Sequence, residues 1–140
     1  MAIVRVPSAS AIPANGTATV ATTQSTTSDS YTDLATAGPA VTLTTGTKAL
    51  VIVSGQMANQ SQSYGAFMSY AVSGATTVAA TDANCCRLNN TNDANARQRA
   101  SAASIVTLNA GSNVFTAKYR TEFSGTSNFL NREIIVINLA

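Results

Sequence analysis

Histidine and tryptophan are absent from this 140-residue chain, and charged residues make up only 10% of it. Without histidine, the chain lacks the commonest general base near neutral pH, the usual partner of a nucleophilic Ser or Cys, and the commonest metal ligand. Nor does it contain a glycine-rich phosphate-binding loop or a calcium-binding loop motif. We therefore predict that the protein is not an enzyme and that it uses no cofactor.

Acidic side chains are few, with only six Asp and Glu residues in the chain. Asp29 with Asp33, and Asp82 with Asp93, could each be proposed as an acid–base pair of a glycosidase type. Asp is also common in turns, where its carboxylate bonds nearby backbone groups. We interpret these residues as turn and cap residues.

Positive charge is equally sparse, because the eight Lys and Arg residues give a net charge of +2 and form no run. Arg97 and Arg99 are the nearest thing to a basic cluster, and we interpret them as part of a solvated loop. We therefore predict no nucleic-acid partner. The longest apolar run, Ala49–Val53, is too short to span a bilayer, and no apolar stretch of signal-peptide length precedes Pro7. These features predict synthesis in a cytoplasm and no membrane partner.

Cysteine is limited to the adjacent pair Cys85 and Cys86. Neighbouring residues do not reach the usual disulfide geometry without strain, so we predict two free thiols. A redox role is the alternative, although only Arg87 lies nearby in the chain to favour a thiolate.

Short runs of β-branched residues separated by Gly, Asn, Asp and Pro dominate the chain, and they predict an all-β fold. We expect the strands 99–108 and 113–122 to pair across the turn at Asn109–Gly111. The predicted strands are 2–6, 17–23, 40–44, 48–55, 64–73, 76–80, 99–108, 113–122 and 129–139.

Alternation predicts which way some side chains point. Phe115, Ala117 and Tyr119 should share one face of their strand, and Thr116, Lys118 and Arg120 should share a wet face. Three aromatic residues close together in the chain could form a small surface patch, but alternation divides them between two strand faces and favours core positions. These residues are Tyr64, Phe67 and Tyr70.

Two strands do not alternate, since 50–53 and 134–137 are apolar at every position. A strand that is apolar on both sides needs cover on both sides. No predicted helix supplies it, so we predict that a second chain does; the alternative is cover by the chain's own arm or long loop. The candidate oligomer interface comprises Leu50, Val51, Ile52, Val53, Ile134, Ile135, Val136 and Ile137.

Two segments differ in composition from the rest of the chain. Residues 1–33 hold little apolar bulk and are predicted to form an N-terminal arm, either a flexible linker or an extended segment that adds to a neighbour's sheet, while 34–140 form the β-sandwich domain. The segment 81–98 is predicted to be a long surface loop with at most one helical turn. The candidate contact residues of the arm are Ile3, Val4, Arg5, Val6 and Ile12.

Five stretches of the chain resemble a module found in phage virion proteins and their prophage relatives. The resemblance implies a jelly-roll-like antiparallel β-sandwich, similar to the trimeric tumour-necrosis-factor-like folds, and it carries no catalytic residues. Such modules occur as head decoration proteins and as fibre tips. The stretches are Tyr31–Leu34, Ala37–Val51, Met68–Thr77, Phe115–Arg120 and Asn131–Ile137.

Two functions follow as hypotheses from this resemblance. In the first, the protein is a phage capsid decoration (cement) protein, a homotrimer that binds the major capsid protein at the virion surface through its arm. In the second, it is a tail-fibre or receptor-binding tip module in which the loop 81–98 binds a host-surface glycan. The absence of tryptophan, a common sugar-stacking residue, disfavours the second.

Overall fold

The structure, a computed structural model, describes residues 2, 12–89 and 94–140. These residues form β-strands and a single 3₁₀ turn at Asp82–Asn84, with no α-helix among them. No helical segment in the described ranges has the length and hydropathy needed to cross a bilayer. The strands are β1 (Asn15–Val20), β2 (Gln24–Thr26), β3 (Ala40–Thr45), β4 (Lys48–Asn59), β5 (Ala66–Gly74), β6 (Cys86–Leu88), β7 (Gln98–Thr107), β8 (Gly111–Thr121) and β9 (Ser127–Asn138).

Two antiparallel sheets face each other. The five-stranded sheet has the order β1-β9-β4-β7, and β2 also pairs with β9. The four-stranded sheet has the order β3-β8-β5-β6. The prediction of an all-β antiparallel sandwich is confirmed.

The core lies between the sheets and is built from one side of each strand. Phe115, Ala117 and Tyr119 of β8 are all fully buried there, as alternation predicts. Val51 and Val136 are cross-strand neighbours in the opposite sheet and are also fully buried. Alternating strands in both sheets therefore bury one apolar side against the same interior.

The expected hairpin between strands 99–108 and 113–122 is wrong. β7 pairs with β4, whereas β8 pairs with β3 and β5 in the other sheet. The connection at Asn109–Gly111 therefore passes from one sheet to the other, and Asn109 anchors it through bonds to Thr76 and Ala75. An alternating strand buries the same side whichever partner it has, so alternation alone does not reveal this crossing.

Other strand predictions differ from the structure in detail. The segment 76–80 forms only an isolated bridge, Val72↔Val78, instead of a strand. β2 and β6 are short strands that the sequence analysis did not predict, and β6 lies within the segment predicted to be a loop. Three-residue strands carry too few positions for alternation to be visible.

Part of the predicted N-terminal arm is built into the sandwich. β1 and β2 lie within 1–33, yet both pair with β9 of the five-stranded sheet. The preceding residues 3–11 lie outside the described residues, as does most of the predicted strand 2–6.

Candidate functional site

An apolar patch covers the outer face of the five-stranded sheet. Leu50 is the cross-strand neighbour of both Ile105 and Ile137, and Ile52 is the neighbour of Ala103 and Ile135. Cross-strand neighbours point to the same face, so these side chains form two adjacent rows across three strands. Each is at least partly exposed, and Ile105 is 65% exposed. The apolar patch comprises Leu50, Ile52, Ala103, Ile105, Ile135 and Ile137.

The candidate oligomer interface divides between this patch and the core. Val51, Val53, Ile134 and Val136 point inward and are at most 1% exposed. Their neighbours in the chain, Leu50, Ile52, Ile135 and Ile137, point outward and are only partly buried. Ile105 and Ala103 were missed by the sequence analysis; they lie on the exposed side of β7 and meet the patch because β7 pairs with β4.

Charged residues border the patch. The salt bridge between Arg99 and Glu133, with 3.3 Å between Nη2 and Oε2, lies beyond one end of it. Lys48 precedes Leu50 at the other end and is exposed. An apolar centre with a charged rim is the usual composition of a protein–protein interface.

Ile12 is the one candidate arm residue that the structure describes, and it is 86% exposed. Ile3, Val4, Arg5 and Val6 lie outside the described residues. The described chain enters the sheet at Asn15, opposite Ile137, so the arm joins the sandwich at the end of β9.

The outer face of the four-stranded sheet is polar and carries a cleft. Lys118 and Arg120 of β8 lie on this face, as the alternation of the strand predicts. The cleft is open to solvent and has a volume of about 600 Å³, and residues 29–31 and 79–82 line it together with Ala71, Lys118 and Arg120. Among the described residues of the segment 81–98, the first two line the cleft.

Arg120 organises the cleft. Its guanidinium binds Asp82 with two bonds, Nε–Oδ1 at 2.9 Å and Nη2–Oδ2 at 2.5 Å. The same group stacks 3.7 Å from the centroid of the Phe67 ring and 5.6 Å from that of Tyr31. The bidentate pairing and the two rings fix the guanidinium plane.

The prediction that Tyr64, Phe67 and Tyr70 occupy core positions is only partly right. Tyr70 belongs to the core, but Phe67 is buried on the outer face of its sheet beneath Arg120 and Arg87. Tyr64 packs on Phe123 at the end of the sandwich, with ring centroids 5.5 Å apart. A buried aromatic can thus be covered by cations as well as by the core, and strand alternation cannot tell these apart.

Ionisation in the cleft is dominated by this arginine. Its hydrogen bonds hold the pKa of Asp82 below the ordinary value of 3.8. Burial raises the pKa of Tyr31 well above its ordinary value, and the hydrogen bond from its hydroxyl to Asp82, 2.8 Å long, raises it further. At neutral pH the cleft therefore presents a carboxylate and a neutral phenol.

The described aspartates that were candidates for acid–base pairs bind donors from distant parts of the chain. Both carboxylate oxygens of Asp29 accept hydrogen bonds from Ser124, from its backbone N–H at 2.6 Å and its hydroxyl at 3.0 Å. Asp33 pairs with Lys118 at 2.7 Å. The turn and cap interpretation, which expected nearby backbone partners, is wrong for Asp29, Asp33 and Asp82. Asp93 lies outside the described residues.

Cys85 and Cys86 are both free, as predicted. Cys86 points into the core, and burial raises its pKa to about 12. Burial also raises the pKa of Cys85, the largest effect on that thiol. Both are therefore protonated at neutral pH and poor nucleophiles.

Within the described ranges, Arg132 is fully buried and has no carboxylate partner. Arg132 of β9 is 0% exposed, and its guanidinium donates to the carbonyl oxygens of Thr22 and Gly38 and to Oε1 of Gln24. Its Nε finds no acceptor among the described residues. Arg132 thus links the chain before and after β2 to β9, a role that no pattern in the sequence indicated.

No group of three or more Cys, Asp or Glu side chains within the described ranges is arranged to hold a metal ion.

Solved structures place this chain in a known fold. An Eiger TNF structure from S. frugiperda superposes with a TM-score of 0.62 at 12% identity, over 92% of this chain and 94% of that one. A chain of infectious bursal disease virus, Gx strain, superposes with a TM-score of 0.57 at 12% identity over 99% of this chain, and one of the Gt strain with 0.56 at 13%. This chain spans 36% of each viral chain. The fold is thus a tumour-necrosis-factor-like jelly roll.

No protein-family model matches the sequence. No curated protein matches it either.

Proposed function

We propose that this protein is a structural component of a phage virion that assembles with copies of itself through the apolar patch and decorates the capsid. The observation that carries the proposal is the patch itself. It lies on the outer face of a sheet whose inner face already forms the core, so burying it requires a second surface. The jelly-roll fold is shared with chains of infectious bursal disease virus, which supports a virion role.

A second copy of the chain suits the patch because the patch is uncharged and its border contains both an acid and bases. Arg99, Glu133 and Lys48 can meet complementary charges when the same surface is repeated around a symmetry axis. A homotrimer is the assembly that the tumour-necrosis-factor-like resemblance implies.

Light scattering coupled to size-exclusion chromatography tests the assembly. We expect a mass of three chains of 14.3 kDa each at micromolar protein concentration. A single-chain mass under those conditions would overturn the proposed assembly.

Attachment to the major capsid protein through the N-terminal arm is tested separately. A deletion that extended to residue 30 would remove β1 and β2 from the sheet. The deleted segment should therefore end before Asn15, where β1 begins. We expect a chain without residues 2–11 and carrying Ile12→Lys to remain folded and lose binding to purified heads. Retained binding would move the contact to the sandwich.

A fibre-tip or receptor-binding module is the second candidate, and the cleft on the four-stranded sheet is the observation that favours it. The cleft faces away from the patch, so assembly through the patch would leave it open to solvent. Imaging the assembled particle distinguishes the two candidates, because it locates the protein on the head or on the tail.

A further inference from the structure

The cleft on the four-stranded sheet has the size of a small-ligand site. Its volume of about 600 Å³ lies within the range of roughly 300–1,000 Å³ that is usual for ligand pockets. Four separate parts of the chain converge on it, namely the segment before β3, strand β5, the segment before β6 and strand β8. A single chain forms the whole site, so it does not depend on assembly.

The lining balances acids and bases. Asp29 and Asp82 oppose Lys118 and Arg120, which leaves no net formal charge among the lining residues. The side chain of Asp82 is 57% exposed in spite of its bonds to Arg120 and Tyr31. The cleft therefore favours a neutral ligand over an anion, since each base already has a carboxylate partner.

Some donor protons of the two bases nevertheless have no assigned partner, and each carboxylate oxygen can accept more than one hydrogen bond. The ammonium of Lys118 has three protons, and one of them binds Asp33. The guanidinium of Arg120 has five, of which three bind Asp82 and the carbonyl oxygen of Thr121. A hydroxyl both donates and accepts, so adjacent hydroxyls on one ring match adjacent cations and carboxylates.

Apolar surface lies beside these polar groups. The methyl groups of Ala71, Ala79 and Ala80 line the cleft together with Tyr31. A pyranose ring combines apolar C–H surfaces with a hydroxyl-bearing edge, and an aromatic ring next to hydrogen-bonding groups can contact both.

The polar groups are also held in place before any ligand arrives. Arg120 is fixed by Asp82 and by the Phe67 ring beneath it. Asp29 is fixed by its two bonds to Ser124 in the turn between β8 and β9. Groups that are already ordered lose less conformational entropy on binding.

We propose that this cleft binds a neutral hexopyranose unit of a cell-surface polysaccharide. The proposal deepens the second candidate function and assigns the site to the cleft of residues 29–31, 79–82 and 118–120 instead of the whole loop 81–98. Sugar binding is measured on the isolated protein. Its outcome is therefore independent of whether imaging locates the protein on the head or on the tail of the particle.

Nuclear magnetic resonance of the ¹⁵N-labelled protein tests the proposal. Glucose, galactose, mannose and N-acetylglucosamine would each be titrated to high millimolar concentration, with inorganic phosphate as the anionic comparison. We expect at least one sugar to shift the backbone amide signals of Tyr31, Asp82 and Arg120 saturably. These sugars vary the configuration and substitution of the same ring, so the panel covers the proposed class.

Two variants assign the binding to the cleft. Asp82→Asn removes the carboxylate charge at constant size and should weaken the affinity about tenfold, the effect of losing one hydrogen bond to a charged group. Ala79→Gln adds a side chain at an exposed lining position and should block the cleft while the fold is kept. The matched control is Glu133→Gln, which neutralises the carboxylate of the salt bridge on the opposite sheet and should leave the affinity unchanged.

Three results would overturn the proposal: no saturable shift with any sugar of the panel, shifts confined to residues outside the cleft, or unchanged affinity in a folded Ala79→Gln variant. A response to phosphate without a response to sugars would also overturn it, because it would show that Lys118 and Arg120 attract an anion.

Discussion

The two outer faces of the sandwich differ in almost every physical property, although both belong to antiparallel sheets that share one core. The five-stranded sheet presents uncharged aliphatic side chains, among them Leu50, Ile52 and Ile105, across three strands. The four-stranded sheet presents Lys118 and Arg120, each paired with a carboxylate and flanked by loops.

The difference separates two kinds of recognition. Aliphatic side chains make no hydrogen bonds with water, and their burial is favourable in proportion to the area buried. The aliphatic face therefore suits contact with a large protein surface. Ion pairs are costly to remove completely from water, so they are poorly suited to a large buried interface. In a cleft that stays partly in water, they can fix the orientation of a small ligand. One face is therefore suited to assembly, and the other to remaining in water.

Ile105→Lys should have the largest effect, because it places a charge at the most exposed position of the apolar patch. We expect assembly to be lost, while the free energy of unfolding of the single chain changes by no more than about 0.5 kcal/mol. Phe123→Lys is the matched control, since Phe123 is 70% exposed but lies away from the patch. Light scattering measures the mass, and an Ile105→Lys variant that still assembles would contradict the assignment of the patch.

Arg132→Ala tests a charge that lies on neither face. Removing the guanidinium takes its hydrogen bonds away from the carbonyl oxygens of Thr22 and Gly38, of which Gly38 keeps the bond from the Tyr119 hydroxyl, and it leaves the buried space unfilled; we expect the free energy of unfolding to fall by about 3–5 kcal/mol. The control is Arg99→Ala in the same sheet, whose exposed salt bridge should contribute less than about 1 kcal/mol. Urea unfolding measures both, and equal losses would mean that burial of Arg132 has no energetic consequence.

Arg120→Ala tests the polar face. It removes the bonds to Asp82 and uncovers the Phe67 ring, so we expect a loss of about 2 kcal/mol in the free energy of unfolding. Lys118→Ala on the same strand and face removes only the pair with Asp33 and should cost less than about 1 kcal/mol. If the two variants lose the same stability, the cover over Phe67 is not what stabilises this face.

Acid should weaken the polar face slightly and leave the apolar face unchanged. The pKa of Asp82 lies below 3.8 in the folded chain, so its contribution is present above that pH and is lost as the pH falls through the folded value. We expect Asp82→Asn to cost less than about 1 kcal/mol near neutral pH, and this difference from the wild type to vanish in stronger acid. Urea unfolding at a series of pH values measures it; a difference that does not change with pH would contradict the role of the charge.

Much of the fold could be predicted from local pattern. Alternation in β8 correctly separated Tyr119 from Arg120, and the continuous apolar runs correctly indicated strands with both sides apolar. Strand pairing could not be predicted in the same way, because β7 and β8 each bury one side whatever their partner is. The expected hairpin was wrong for this reason.

The candidate sites were less accessible to sequence reasoning. Four of the six residues of the apolar patch were among the candidate interface residues, but Ile105 joins them only because β7 lies beside β4. The cleft combines Tyr31, Asp82 and Arg120 from distant parts of the chain, and nothing in their spacing brings them together.

The sequence by itself determined the class of fold and, in β8, the side that faces the core, because side-chain alternation and β-branched content act locally along each strand. Only the tertiary structure decided which strands lie together, and with them the composition of the two outer faces. The same local pattern is compatible with several strand orders, and each order would place different residues next to Leu50 and next to Arg120.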